Sequence, residues 1–231
     1  MGNRTSRRGD LPPNLRERAL SAIKQGILDS RYAPGSLISE GQLADELQIS
    51  RTPIREALRE LAGSGLVRIL PQRGIIVSEL SMRDIIEVYQ LREQLECFAV
   101  RLATERAGPE DRAGFDADHQ DALRHAAAGR LRAAYDASVL MHARVIELAR
   151  NGRLGQIMRL LGDQVHRFGL LTLRHGRVEP ALGEHGAIIA AILRQDADAA
   201  ETLMRAHLRA DRDVALRLTM PAGISPAEVT A

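Results

Sequence analysis

Helical spacing governs this sequence almost from end to end, and it is interrupted once. Between Gly63-Ser64-Gly65 and Ser78 the apolar residues stop recurring every three or four positions. They fall instead into two short β-rich runs, Leu66-Val67-Arg68-Ile69-Leu70 and Ile75-Ile76-Val77, about the turn Pro71-Gln72-Arg73-Gly74. Two such runs about a Pro/Gly turn predict a hairpin. A lone hairpin is marginal in water, so it must lean on the helices before it. Beyond Ser78 strand signals vanish. The fold class that follows is mainly α: a small helical module carrying a hairpin, then an all-helical domain roughly twice its size.

The module reads in order. Leu15, Ala19, Ala22, Ile23 and Ile27 predict a helix from Pro13 to Ser30, ended by the turn chemistry of Tyr32-Ala33-Pro34-Gly35. Ser39 is a candidate cap for a short second helix to Leu47, and Ser50 for a third after Gln48-Ile49. Pro53 is tolerated in that third helix because first-turn amides have no intrahelical partner. Ile54, Ala57, Leu58 and Leu61 form its buried stripe. Two short helices, a tight turn, a third helix and a hairpin describe a winged helix-turn-helix. The expected organisation is an arm over 1–11, this domain over 12–78, a linker over 79–82, a helical domain over 83–219 and a tail over 220–231.

Charge agrees with that division. The 231 residues carry 32 basic and 30 acidic side chains, a balance of +2, but residues 1–78 hold 12 against 8 and the remainder 20 against 22. A basic front half suggests a polyanionic partner. Cys97 stands alone, which excludes an internal disulfide framework. No apolar run approaches the length of a membrane span, and the polar start lacks a signal-peptide core. The expected compartment is the cytoplasm, with no membrane partner.

With the third helix burying Ile54, Leu58 and Leu61, the side chains of Arg51, Thr52, Arg55 and Arg59 point outward. The amino end of a recognition helix meets base edges in the major groove, where arginine can grip guanine O6 and N7. Ser50 and Thr52 can hold phosphates beside the helix start. Arg73-Gly74 at the wing tip fits a backbone or minor-groove contact. The plainer alternative is that the arginines pair with Glu56 and Glu60. The run from Leu37-Ile38-Ser39-Glu40 through Ser50-Arg51-Thr52-Pro53-Ile54-Arg55-Glu56-Ala57-Leu58 resembles the DNA-binding domain of the GntR family of bacterial regulators. That resemblance implies base or phosphate contacts for Arg51, Thr52 and Arg55 on double-stranded, near-palindromic operator DNA, bound by a homodimer. Some relatives have an arginine where this chain has Gly41.

The second half predicts helices near 81–107, 109–128, 130–149, 153–175, 180–195 and 197–218, with Asp196 capping the last. His119, His125 and His175 sit in polar contexts and are expected at the surface. His142, His185 and His207 instead share apolar helix faces. A lone histidine on such a face is usually a hydrogen-bonded core residue, but three on three helices of one bundle can build a metal site. His142-Ala143-Arg144-Val145-Ile146 with Asn151, Glu184-His185, and Met204-Arg205-Ala206-His207-Leu208 resemble the motifs of the FCD effector domain of the FadR branch. So does Val88-Tyr89-Gln90-Leu91-Arg92-Glu93.

The resemblance implies a site of one aspartate and three histidines. Here the aspartate position is Ser138, and Met141 replaces the usual phenylalanine. Asp136 lies on a different helix face and cannot replace the missing ligand without distortion. The expected effector site is Arg92, Ser138, His142, His185 and His207, with the three histidines as ligands for a divalent ion such as Zn²⁺ or as direct partners of an organic acid. Arg92 either clamps the effector carboxylate or pairs within the bundle, and the phase of His166 leaves its direction open. The expected function is a ligand-responsive transcription regulator, repressing metabolic genes until a small organic acid binds. A metal-dependent hydrolase with a DNA-binding appendage is the rival. Glu184 is the base it would use, but a residue adjacent to His185 diverges from it by about 100°.

Overall fold

The computed structural model describes residues 14–71, 74–173 and 175–220. They divide after Glu79 into two compact units.

The first unit starts with α1 (Leu15–Leu28), two residues later than the apolar spacing alone suggests. Asn14 sets that start: its side chain accepts from the Glu17 amide while Glu17 caps the Asn14 amide in return. A second capping box, Ser39 with Gln42, opens α2 (Glu40–Leu47). Gln48 closes α2 in the left-handed region at φ 54°, its side-chain amide donating to the Asp45 carbonyl. That single αL residue makes the tight turn into α3 (Arg51–Gly63). Ser50 occupies the cap position of α3, but contrary to expectation its side chain makes no capping hydrogen bond.

The wing is larger than a hairpin. β2 (Val67–Leu70) and β3 (Gly74–Val77) pair antiparallel as expected, with Val67 opposite Val77. A third strand, β1 (Leu37–Ile38), pairs antiparallel on the other edge of β3, Leu37 opposite Ile76. The sheet order is therefore β1-β3-β2. Gly74, at φ 103°, lets β3 leave the turn while the Ile38 carbonyl lies only 3.6 Å from where its Cβ would be. Ile23, Leu43, Ile54, Leu58, Leu61 and Leu66 are all but fully buried in one core. Each contributes about 1.5–3 kcal/mol.

The second unit consists of helices: α4 (Met82–Arg106), α5 (Pro109–Ala127), α6 (Leu131–Leu148), α7 (Gly152–Leu173), α8 (Val178–Leu193) and α9 (Ala197–Thr219). Met82 already belongs to α4, which Ser81 and Asp84 cap reciprocally, so the expected linker is shorter by that residue. Asp196 caps α9 through the Ala199 amide. Val100, Phe115, Met141, Val145, Ile188, Ile192 and Met204 form the main core. Outside it, Glu93 of α4 takes Arg205 and Arg209 of α9, tying the two helices along their shared edge. No described helix is long and apolar enough to cross a membrane.

Candidate functional site

In the first unit Arg51, Thr52, Arg55 and Arg59 are exposed on α3, opposite the buried Ile54, Ala57, Leu58 and Leu61. Arg55 pairs with neither Glu56 nor Glu60. Its Nε and Nη2 reach the two carboxylate oxygens of Glu40 on α2, at 2.9 and 2.7 Å, a bidentate fork. Those bonds hold the Glu40 carboxyl below its usual range. Glu60 is taken by Arg16 of α1. At Gly41 a Cβ would be in ordinary contact with the Arg51 guanidinium, at 3.6 Å. Ser50 is exposed beside the α3 amino end with its hydroxyl unspent on capping. Gly74 sits at the start of β3, and Arg73 lies outside the described residues.

In the second unit His142 of α6, His185 of α8 and His207 of α9 meet. The Nε2 atom of His185 lies 3.2 Å from that of His142 and 3.3 Å from that of His207. Potential ligand atoms of all three fall within 4.8 Å of one another, and His185 and His207 are buried. Behind His142, its Nδ1 stands 2.5 Å from Glu96 of α4, and behind His207, its Nδ1 stands 2.7 Å from Glu184. Burial alone would raise both acids. Arg92 and His142 outweigh it and hold Glu96 well below the carboxylate range, and His207 and Arg177 bring Glu184 to about 2.

Ionised carboxylates only accept, so His142 and His207 each carry a proton on Nδ1, and the Nε2 of His142 presents a lone pair inward. Arg177 Nη2 lies 3.3 Å from the Nδ1 of His207, but its Nη1 and Nη2 donate to Glu184 at closer range. Burial, then the two neighbouring imidazoles, pushes His185 well below the ordinary histidine value, and burial lowers His142 against the opposing pull of Glu96. These rings are neutral at physiological pH. The Nδ1 of His185 is buried without a hydrogen-bond partner.

This donor set fits a divalent ion. Three imidazole rings converge, two of them oriented from behind by carboxylates, as histidine ligands usually are. The arrangement equally fits a carboxylate, with Arg92 beside it. Arg92 is buried, donates Nε to Glu96 at 2.7 Å and lies 4.9 Å from the Tyr89 ring. It therefore pairs within the bundle and also lines the cavity onto which the cluster opens, a space of about 770 Å³. Ser138 lines the same cavity, its hydroxyl donating to the Tyr135 carbonyl. Asp136 faces away and pairs with Arg132.

Two other assignments change. His119 and His125 are half-buried rather than surface residues, and burial lowers His119. Only His175 is exposed as expected. His166 packs against Tyr135, their ring centroids 5.5 Å apart. Asp211 escaped notice: one turn beyond His207, its Oδ2 is 3.6 Å from that Nε2 and its Oδ1 holds Arg177. The i, i+4 spacing to His207 was the available signal. Glu96 had the same kind of signal, four residues after Arg92.

A winged helix-turn-helix followed by a helical unit with a histidine-lined cavity defines a DNA-binding regulator that carries a sensing domain. The chain belongs to the GntR family: residues 15–77 match "Bacterial regulatory proteins, gntR family" and residues 87–210 match the FCD domain. It is 31% identical over 194 residues to an uncharacterized HTH-type transcriptional regulator in an unstable DNA locus of Streptomyces ambofaciens, covering 81% of this chain and 79% of that one. It is 30% identical over 192 residues to a probable D-xylose utilization operon transcriptional repressor of Paenarthrobacter nicotinovorans, covering 81% and 83%. Among solved structures, E. coli McbR/YncC shares the fold, with TM-score 0.76 at 18% identity over 89% of this chain and 99% of that one. The chain is thus a transcription regulator with an effector-binding domain, not an enzyme. The hydrolase alternative finds no support, and Glu184, its intended base, is engaged by Arg177 and His207.

Proposed function

We propose that this protein is a cytoplasmic, homodimeric repressor of metabolic genes, released from a near-palindromic operator when a small organic acid enters the helical unit. The observation that carries the reading is the convergence of His142, His185 and His207 on a cavity that Arg92 also lines. The effector carboxylate sits between the imidazoles and Arg92, with Ser138 at the wall. A divalent ion such as Zn²⁺, held by the three histidines, would supply positive charge to that carboxylate; Glu96 and Glu184 orient two of the rings from behind.

At the DNA, Arg51, Thr52, Arg55 and Arg59 read the major groove, Ser50 holds a phosphate, and Arg73-Gly74 at the wing touches the backbone or the minor groove. Arg55 exchanges its exposed fork with Glu40 for a guanine edge, a match of the same two-pronged geometry. Regulation is a difference in effector affinity between DNA-bound and free arrangements.

Two variants test this. Arg55→Ala should weaken operator binding at least tenfold in a gel-shift titration while the dimer stays intact in sedimentation. His185→Ala should leave DNA binding in place and abolish both Zn²⁺ binding and release by acid. Wild-type DNA affinity in the first variant, or acid response in the second, would sink the respective half of the proposal.

A further inference from the structure

Gly155, Gly162 and Gly169 of α7 recur every seventh residue and all line the cavity. Seven residues are nearly two turns, so the three lie along one face, about 10 Å apart. Glycine is among the poorest helix formers, and each one in a helix interior calls for a reason. At Gly169 the reason is packing, because the Tyr135 ring occupies the space a Cβ would need. At Gly155 a Cβ would be in ordinary contact with Arg159 at 3.5 Å and Ile146 at 3.9 Å. At Gly162 nothing lies within 4 Å of that position. Gly162 is exposed and lines the cavity.

The contacts Tyr135–Gly169 and Ile146–Gly155 make α6 and α7 antiparallel across this space. Gly162, midway along the glycine line, therefore stands level with the middle of that α6 stretch, where Val139 and His142 also line the cavity. The bare backbone and the histidine cluster are two sides of one chamber. The cluster calls for a ligand of its own accord: three imidazoles bring potential ligand atoms within 4.8 Å of one another, and the Nδ1 of His185 is buried without a partner.

Volume then decides what kind of ligand. A water takes about 30 Å³, so an acid of two to four carbons, the bulk of a few waters, occupies on the order of 100 Å³. It would leave most of the 770 Å³ unfilled. Pockets of this size, largely apolar with a few convergent polar groups, suit ligands of many more heavy atoms. The walls agree: Val139, Ile146, Met158 and Val165 flank the glycine line.

We propose that Gly162 sets the size of the effector, admitting a carboxylic acid whose ring-sized apolar body lies on the bare α7 backbone while its carboxylate meets the histidine cluster. This rests on the reading that an acid binds there and narrows its class. A side chain at residue 162 would occupy the space of the effector body without touching the carboxylate end.

The test uses the full-length chain in isothermal titration, with chelator and with Zn²⁺. Probes are acetate, lactate and succinate against phenylacetate, 3-phenylpropionate and cinnamate. At least one ring acid should bind tenfold or more tighter than every short acid. Gly162→Leu should weaken the ring acids at least tenfold and leave Zn²⁺ and short-acid binding unchanged. Gly162→Ala, which favours the helix and meets no neighbour, should lie between. Short acids binding as tightly as ring acids, no ring acid binding, or an indifferent Gly162→Leu variant would overturn the proposal. The function reading stands through such a result provided Zn²⁺ and short acids still bind and His185→Ala removes them. If wild-type protein takes neither Zn²⁺ nor any acid, both readings fall together.

Discussion

Glu96 is the buried charge behind the histidine cluster, and replacing it with glutamine isolates that charge at constant shape. The carboxylate is 1% exposed and accepts from Arg92 Nε at 2.7 Å and His142 Nδ1 at 2.5 Å. Removing one partner of a buried ion pair typically costs about 3–5 kcal/mol, because the other charge is left uncompensated. Glutamine keeps one acceptor oxygen, which recovers about 1–2 kcal/mol of a hydrogen bond to Arg92. The net loss should be about 2–3 kcal/mol, or roughly 5–10 °C in melting temperature for a chain of this size. Far-ultraviolet circular dichroism on chelator-treated protein reads it directly. The double variant Arg92→Met with Glu96→Leu removes both charges and should recover most of the loss, since apolar replacement of a buried pair is often near neutral. A Glu96→Gln melt within about 2 °C of wild type, or a double variant worse than the single, would refute the assignment of Glu96 as the compensating charge.

Gly169→Ala should destabilise by about 1–2 kcal/mol, because overpacking against the Tyr135 ring exceeds the gain in helix propensity; urea denaturation measures it, and a stabilised variant would show the ring moves freely. In the presence of chelator, stability should be fully present above about pH 6.5 and decline as pH falls below it. The sign follows from His142 and His185, whose folded-state values are depressed, so the unfolded chain takes up their protons first. Urea midpoints across pH 5–8 test this, and a flat profile would mean the rings protonate in place.

Elements with a long periodic signal were legible without coordinates. Helices α4 to α9 begin and end within about two residues of where Gly, Pro and capping residues place them, the usual uncertainty of helix ends. β1 was not legible, since two residues, Leu37 and Ile38, carry no period, and only their pairing with β3 makes them a strand. The three histidines could be singled out because each sits among isoleucines, leucines or methionines on its own helix. Their carboxylate partners could not. Glu96 comes from a fourth helix, and Glu184 serves His207 across the bundle rather than the adjacent His185, a choice made by packing. His119 was misread because its neighbours in sequence are polar, whereas its neighbour in space is Gly186 of α8, whose missing side chain lets the ring in.

The histidine cluster draws one group from each of three helices, α6, α8 and α9, with α6 a full helix removed from the other two. Whatever all three hold at once acts as a reversible cross-link, absent from the unfolded chain. At a hundred times its dissociation constant such a ligand adds about 2.7 kcal/mol to the folded state. That is roughly a hundredfold fewer unfolded molecules offered to proteases at any moment. On the proposed reading, a ligand in this chamber would do more than change what the protein says to DNA: it would also lengthen the time each copy survives to say it.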